Sequence, residues 1–191
     1  QEMQELINFS EPLFKKESAG IAYIFGEAGI GKSRLSYELR KALVGTNKIQ
    51  WFSCQADEIL RKSFNPFIFF LRSYFNQSAD DSSDSNLLRF EERFEDLYYR
   101  LTLSDGKGIQ DLRAELVRTK SILAALIGIV YFDSLWEQLD AKGRYQNTIL
   151  AIINLLLCEA SYMPTVIEIE DGHWLEPNSL ELLNELVRQI K

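Results

Sequence analysis

The stretch Gly26-Glu27-Ala28-Gly29-Ile30-Gly31-Lys32-Ser33 decides the fold, because it matches the whole pattern G-x-x-x-x-G-K-[ST]. Its glycines let the backbone turn tightly, so that successive N–H groups converge on phosphate oxygens. A helix that follows such a loop adds its positive amino-terminal end. Lys32 supplies a mobile cation for the β- and γ-phosphates, and the Ser33 hydroxyl suits Mg²⁺, a hard ion that prefers oxygen. The pattern predicts a loop that binds the phosphates of a nucleotide.

The residues on either side of the loop fit this prediction. Before it, Ile21–Phe25 is a short apolar run followed by glycine, which is typical of a buried strand. After it, the spacing of apolar residues predicts a helix over 33–44 with Gly45 as its C-cap. We therefore expect residues Gly26, Glu27, Ala28, Gly29, Ile30, Gly31, Lys32, Ser33 and Arg34 to contact the nucleotide. For Arg34, which directly follows the loop, the alternative is an ordinary solvated position on the helix.

A β-branched segment near the end of the sequence predicts a further strand over 165–169, which is followed by two carboxylates. Glu170 and Asp171 thus stand at the carboxyl end of a strand, where ligands bind in open α/β sheets. By position, Glu170 is expected to hold Mg²⁺ together with Ser33, and Asp171 to orient or deprotonate the attacking water. Lys32 and Asp171 are therefore the candidate catalytic residues. The alternative is a pair of carboxylates that cap a loop.

Two other polar side chains lie beside this acidic pair. Glu168 points to the face of the strand opposite Ile167, and it does not stand in the place expected for a metal ligand. His173 is the single histidine of the chain. It is interpreted either as a residue that fixes the loop through hydrogen bonds or as a sensor of the nucleotide state.

The order of the predicted elements indicates an α/β fold with a parallel sheet, because strands separated by helices pair in parallel. Residues 1–54 hold an N-terminal helix, the strand and helix around the loop, and a second strand over 48–54. Residues 55–163 carry amphipathic stripes and an apolar helix, which predict a long helical insertion between strands 2 and 3. Residues 164–191 hold the acidic strand and a final helix. The three parts are interpreted as one domain, 1–191.

Composition excludes several classes of protein. The 191 residues are 46% hydrophobic and 26% charged, which rules out a disordered tail, a collagen-like fibre and a disulfide scaffold. The net charge of −7 argues against direct nucleic-acid binding, because a duplex-binding surface is normally basic. Cys54 and Cys158 lie in apolar stretches and are expected to be reduced core thiols. No signal peptide and no segment long enough to cross a bilayer is found, so a cytoplasmic location without membrane contact is expected.

Two segments together resemble the signal-transduction ATPases with numerous domains, which are AAA-like P-loop proteins. They are Gly-Glu-Ala-Gly-Ile-Gly-Lys-Ser-Arg-Leu at 26–35 and Glu-Asp-Gly-His-Trp-Leu-Glu-Pro-Asn-Ser-Leu-Glu-Leu-Leu at 170–183. The sequence looks most like the ATPase module behind class III adenylate/guanylate cyclase domains and in large LuxR-type regulators. This resemblance implies a P-loop NTPase fold, a Walker A loop at 26–33, a Walker B strand ending at Glu170 and Asp171, and ATP or ADP with Mg²⁺ as cofactors.

The resemblance also implies partners. In that family the fold continues with a sensor strand between the P-loop strand and the acidic strand, an arginine-bearing segment and a helical lid. We therefore expect the chain to be truncated before these elements and to belong to a larger protein. A fused cyclase or DNA-binding effector and downstream helical repeats outside this chain are the expected partners, with self-association as a further expectation.

Four functional hypotheses remain open at this point. The first is an ATP-binding and ATP-hydrolysing regulatory switch, which is expected to be weak or inactive as this chain alone because no arginine finger is placed by the motifs. The second is a nucleotide-binding scaffold without turnover, which is favoured by Glu170 standing where the family usually has aspartate. The third is a replication-initiator-like AAA protein, against which the acidic charge argues. The fourth is a GTPase, for which the Asn-Lys-x-Asp motif is absent from the sequence.

Overall fold

The computed structural model describes residues 1–15, 17–45, 48–59, 62–104 and 108–190. Its sheet has two parallel strands, β1 (Gln50–Gln55) and β2 (Thr165–Glu170), with Gln50 opposite Thr165 and Gln55 opposite Glu170. The two strands are neighbours in space although more than a hundred residues separate them in the chain. Their parallel pairing agrees with the α/β class expected from the sequence.

Helices account for most of the described residues. α1 (Glu2–Phe9) and α2 (Lys32–Val44) precede β1, and α9 (Pro177–Gln189) follows β2. Between the strands, the described residues form helices and no strand: α3 (Asn65–Tyr74), α4 (Ser83–Thr102), α5 (Ile109–Arg118), α6 (Lys120–Leu126), α7 (Leu135–Gln138) and α8 (Ala141–Tyr162). Two short 3₁₀ turns span Glu11–Lys15 and Gly172–Trp174.

The sheet lies between two helical layers of unequal size. One face of the sheet carries Phe52, Cys54, Ile167 and Ile169 and packs against the larger core, which is formed by helices α3 to α6, α8 and α9. The opposite face carries Trp51 and Val166, which pack against a smaller core that includes Leu39 and Leu43 of α2. The alternation of side chains along each strand sends successive residues to these two cores.

The predicted strand at Ile21–Phe25 is absent, and this expectation was wrong for the described residues. Residues 17–26 have no regular secondary structure, and the side chains of Tyr23 and Phe25 are 80% and 90% exposed. A strand forms only where a neighbour pairs with its backbone groups. Among the described residues the sheet has only β1 and β2, and the apolar run pairs with neither of their outer edges, so its backbone groups join no ladder.

A buried carboxylate links the sheet to the larger helical layer. Glu159 on α8 is fully buried, and its oxygens accept hydrogen bonds from Tyr74, from Arg100 at 2.8 and 3.0 Å and from Gln50 of β1 at 3.3 Å. Burial raises the pKa of Glu159, but the hydrogen bonds from Arg100 and Tyr74 outweigh it and leave the pKa below its ordinary value. Arg93 stacks over the Tyr74 ring at 4.5 Å and lies 3.5 Å from the same carboxylate.

The two cysteines behave as the sequence predicts. Cys54 and Cys158 are both buried and unpaired, which confirms the expectation of two core thiols. Burial raises the pKa of each thiol to about 12, so both stay protonated at neutral pH.

Within the described part of the chain, every helix is too short or too polar to cross a bilayer.

Candidate functional site

The backbone of the loop over residues 26–33 adopts conformations that require glycine. Gly29 and Gly31 have φ angles of 83° and 103°, a left-handed conformation that side chains other than glycine rarely adopt. A Cβ atom at either position would meet no other atom within 4 Å, so backbone conformation, not space, is what requires glycine there. The loop residues Glu27, Ala28 and Ile30 are exposed, as is Ser33. The loop therefore faces solvent and is open to a ligand.

Lys32 begins α2 and folds back over the loop. Its Nζ donates hydrogen bonds to the carbonyl oxygens of Gly26, at 3.0 Å, and Glu27, at 2.9 Å. Both partners are neutral, and Lys32 forms no ion pair with any carboxylate of the described residues. The ammonium therefore stays uncompensated beside the first turn of a helix whose N-cap, Gly31, provides no side-chain hydrogen bond. A cation and free backbone N–H groups at a helix start suit a phosphate group.

Contacts along α2 fix its direction relative to β2. Ser36, one turn into the helix, donates a hydrogen bond to Glu168, whereas Leu39 and Leu43 pack further along in the core that includes Val166. The helix and the strand are therefore antiparallel, and the start of α2 lies at the carboxyl end of β2. This arrangement brings the predicted phosphate loop and the predicted acidic pair to the same edge of the sheet.

The acidic pair lies at this edge with exposed side chains. Partial burial raises the pKa of Glu170, and the negative charges of Glu168 and Asp171 raise it further, whereas Arg40 opposes the shift. Asp171 has a φ of 52° and starts the 3₁₀ turn Gly172–Trp174 by accepting a hydrogen bond from the Trp174 N–H at 2.9 Å. Aspartate is among the few residues that adopt this left-handed backbone readily. The carboxylates thus stand where strand geometry ends and a tight turn begins.

The side chains at this site suit a Mg²⁺ ion that is also bound by water and by the phosphates of a ligand. Within the described ranges, no group of three or more His, Cys, Asp or Glu side chains could hold a metal ion. Mg²⁺ at a phosphate site does not need such a group, because it keeps several waters and binds one or two carboxylates together with the substrate phosphates. The Ser33 hydroxyl and the Glu170 carboxylate are oxygen donors of the kind it prefers. The ligand set predicted from the sequence remains a prediction.

The sequence analysis missed the role of Glu168. Its side chain points toward α2 and accepts three hydrogen bonds, from Ser36 on α2, from Trp51 Nε1 at 2.8 Å and from Ser53 Oγ at 3.1 Å. We call these four residues the Glu168 cluster. The available signal in the sequence was a single charged residue inside an otherwise apolar strand. Its partners lie 115 to 132 residues away along the chain, so the pattern could not reveal them.

The remaining candidates lie at the surface around the site. Arg34 is exposed on the first turn of α2, a position that suits both the predicted nucleotide contact and an ordinary solvated helix residue. His173 is exposed as well, and its ring lies 4.7 Å from that of Trp174. The loop-fixing and the sensing interpretations of His173 both remain predictions.

Comparisons with known proteins find a matching family and a similar protein. The family described as the AAA ATPase domain matches residues 1–191. The chain is also 27% identical over 171 residues to an uncharacterized protein of Rhizobium meliloti. That alignment covers 89% of this chain and 15% of the relative, so the chain spans less than a sixth of the length of that protein. No solved structure matches the chain.

Proposed function

The chain belongs to the AAA ATPase domain family, and we propose that it is the ATP-binding switch domain of a larger signalling protein. One observation carries the proposal: an uncompensated Lys32 ammonium and a left-handed glycine loop meet at the start of α2. The fold directs this helix start to the same edge of the sheet as Glu170 and Asp171. A nucleotide phosphate chain is the ligand that uses all of these groups together.

In the proposed complex each group has a defined task. The backbone N–H groups of 26–33 surround the phosphates, and Lys32 exchanges its two carbonyl partners for phosphate oxygens. Ser33 and Glu170 hold Mg²⁺, which would neutralise charge on the phosphates. Asp171 orients the attacking water and accepts its proton, since a carboxylate next to the phosphate chain can act as a base. Arg34 contacts the nucleotide from the exposed side of the helix start.

The proposed role in signalling rests on the length of the relative and on the sequence resemblance. Because the chain spans 15% of the similar Rhizobium meliloti protein, we propose that it is one module among several. Its partners are then a fused cyclase or DNA-binding effector and helical repeats, and self-association is a further proposal. ATP binding sets one state of the module and hydrolysis resets it.

A scaffold that binds nucleotide without hydrolysing it is the second candidate. It is favoured by Glu170, which stands where the related ATPases usually have aspartate, and by the motifs of the sequence, none of which places an arginine as a finger. An arginine that stabilises the transition state typically contributes about 10³–10⁵ in rate. The two candidates share the binding site and differ only in turnover.

The nucleotide preference tests the proposal directly. We expect Mg·ATP and Mg·ADP to displace a fluorescent ADP analogue from the chain, and Mg·GTP to require at least about tenfold higher concentration, which corresponds to roughly 1.4 kcal/mol. Equilibrium competition, followed by fluorescence anisotropy, gives the three affinities in one series. Displacement by GTP at the same concentration as ATP contradicts an ATP switch and favours a GTPase.

A further inference from the structure

The Glu168 cluster lies between the sheet and α2, the helix that begins at the proposed nucleotide site. Val166, Glu168 and Glu170 share one face of β2, and that face packs against α2. On this face, Glu168 therefore lies between Val166, which packs in the apolar core, and Glu170, the predicted metal ligand. Within the described part of the chain it has no lysine, arginine or histidine as an ion-pair partner. Neutral donors alone stabilise it.

The three donors come from two different elements. Ser36 belongs to α2, whereas Trp51 and Ser53 belong to β1 and lie on the same face of that strand. One oxygen, Oε1, accepts from Ser36, and the other, Oε2, accepts from Trp51 and Ser53. A single carboxylate thus joins the helix to the neighbouring strand. Hydrogen bonds to a charged acceptor are roughly twice as strong as neutral ones, so this connection is stiff.

Ser36 is also aligned with the residue that would contact phosphate. It follows Lys32 by four positions, so the two side chains lie one above the other on the same face of α2. A contiguous path therefore runs from Lys32 along one helical turn to Ser36, through Glu168, to the Trp51 indole. Coupling between sites travels through such physically connected groups.

We propose that Glu168 is a positioning residue, which ties the start of α2 to the sheet and transmits the nucleotide state of the loop to the Trp51 indole on β1. The inference rests on the proposed function, since the path begins at a nucleotide bound by Lys32. When Lys32 leaves the carbonyls of Gly26 and Glu27 for phosphate oxygens, the first turns of α2 shift. The shift reaches Trp51 because Ser36 and Trp51 hold the same carboxylate.

Two serine substitutions separate this role from simple structural support. Ser36→Ala and Ser53→Ala each remove one hydroxyl hydrogen bond to the same carboxylate, but only Ser36→Ala cuts the link to α2. We expect Ser36→Ala to weaken Mg·ATP binding by roughly two- to thirtyfold, the usual range for residues that couple two sites. Ser53→Ala is expected to stay within twofold of the unchanged chain. Ser36→Thr retains the hydroxyl and is expected to restore the affinity.

The indole N–H resonance of Trp51 in a ¹H–¹⁵N spectrum supplies the spectroscopic readout, and Trp51→Phe assigns it among the three tryptophans. Calorimetry is used to confirm saturation with Mg·ATP in each sample. We expect saturation to shift this resonance in the unchanged chain and in Ser53→Ala, and to leave it unshifted in Ser36→Ala. Glu168→Val, which removes the acceptor and suits the apolar interface, is expected to lose the response as well and replaces Ser36→Ala if that variant does not fold.

The possible results distinguish the positioning role of Glu168 from the proposed binding of the nucleotide. A saturated wild-type chain whose Trp51 resonance does not move overturns the positioning role and leaves nucleotide binding intact. An equal shift in Ser36→Ala and in the unchanged chain overturns it too, because the path through Glu168 is then not needed. Failure of Mg·ATP to bind the unchanged chain at all overturns the proposed function and this inference together.

Discussion

Replacing Glu159 by alanine is expected to lower the free energy of unfolding by about 3–5 kcal/mol. The substitution leaves Arg100, whose side chain is 15% exposed, without the carboxylate that holds it at 2.8 and 3.0 Å. It also removes the acceptor of the buried Tyr74 hydroxyl. Removing one member of a buried, hydrogen-bonded ion pair is costly because the desolvated partner stays behind. Arg100 then keeps the half-exposed Asp96, 3.1 Å from its Nε, but loses the buried carboxylate that accepts from both of its terminal nitrogens. Urea unfolding followed by circular dichroism measures the loss.

The chain offers a matched control for this experiment. Glu115 also pairs with an arginine one turn away, Arg118, through three hydrogen bonds of 2.7 to 3.0 Å, but both side chains are about 40% exposed. Glu115→Ala is expected to cost less than about 1 kcal/mol, because solvent screens a surface pair. Equal losses in the two variants would show that the Glu159 network does not stabilise the fold more than an ordinary surface pair does.

The carboxylate of Glu159 also makes the free energy of unfolding depend on pH, with a defined sign. Its pKa is lower in the folded chain than in the unfolded chain, where it is about 4.3. The stabilisation that results is fully present above the unfolded pKa and is lost as the pH falls through the folded pKa. The difference in unfolding free energy between the unchanged chain and Glu159→Ala should therefore shrink below about pH 4. A difference that grows on acidification contradicts this account.

Asp171→Asn is expected to lower ATP turnover by about 10²–10⁴ while Mg·ATP affinity changes by less than about threefold. A neutral amide cannot accept the proton of the attacking water. Asparagine adopts the left-handed backbone that Asp171 has, with φ of 52°, so the turn at the end of β2 is retained. Turnover is measured by phosphate release in the form of the protein that hydrolyses ATP, either this chain or a longer one that contains it.

Glu170→Gln is the control for this prediction, because it stands one position earlier at the same strand end. It is expected to raise the Mg²⁺ concentration needed for half-maximal binding, since a carboxylate ligand is replaced by an amide. If Asp171→Asn hydrolyses ATP as fast as the unchanged protein, Asp171 is not the residue that activates water. If no form of the protein turns over ATP, the scaffold is the better description.

Local patterns predicted the helices and the two paired strands well. Helix α2, expected over 33–44, spans Lys32–Val44, and the strand expected over 165–169 spans Thr165–Glu170. The apolar helix expected within 55–163 is α8, Ala141–Tyr162. Each of these segments carries its own signal. The signals are a glycine loop followed by apolar residues at helical spacing, a β-branched run, and a largely apolar stretch that is too long for a strand.

The features that were predicted wrongly or missed have a common physical cause. Each depends on contacts with residues that are distant in the chain. Ile21–Phe25 has the composition of a buried strand, but a strand exists only when a neighbour accepts its backbone hydrogen bonds. Glu168 and Glu159 are each a charge in a mainly apolar segment, and the residues that donate hydrogen bonds to them lie on other elements.

Titration calorimetry of Mg·ATP into the chain and into its Lys32→Ala variant tests the central claim most directly. Lys32 contributes the only cation of the loop, so its loss is expected to weaken binding at least about tenfold, or roughly 1.4 kcal/mol. Lys41→Ala, an exposed lysine in the last turn of the same helix, is the control and should bind as the unchanged chain does. Equal Mg·ATP affinity in the unchanged chain and in Lys32→Ala would contradict a nucleotide site at residues 26–33.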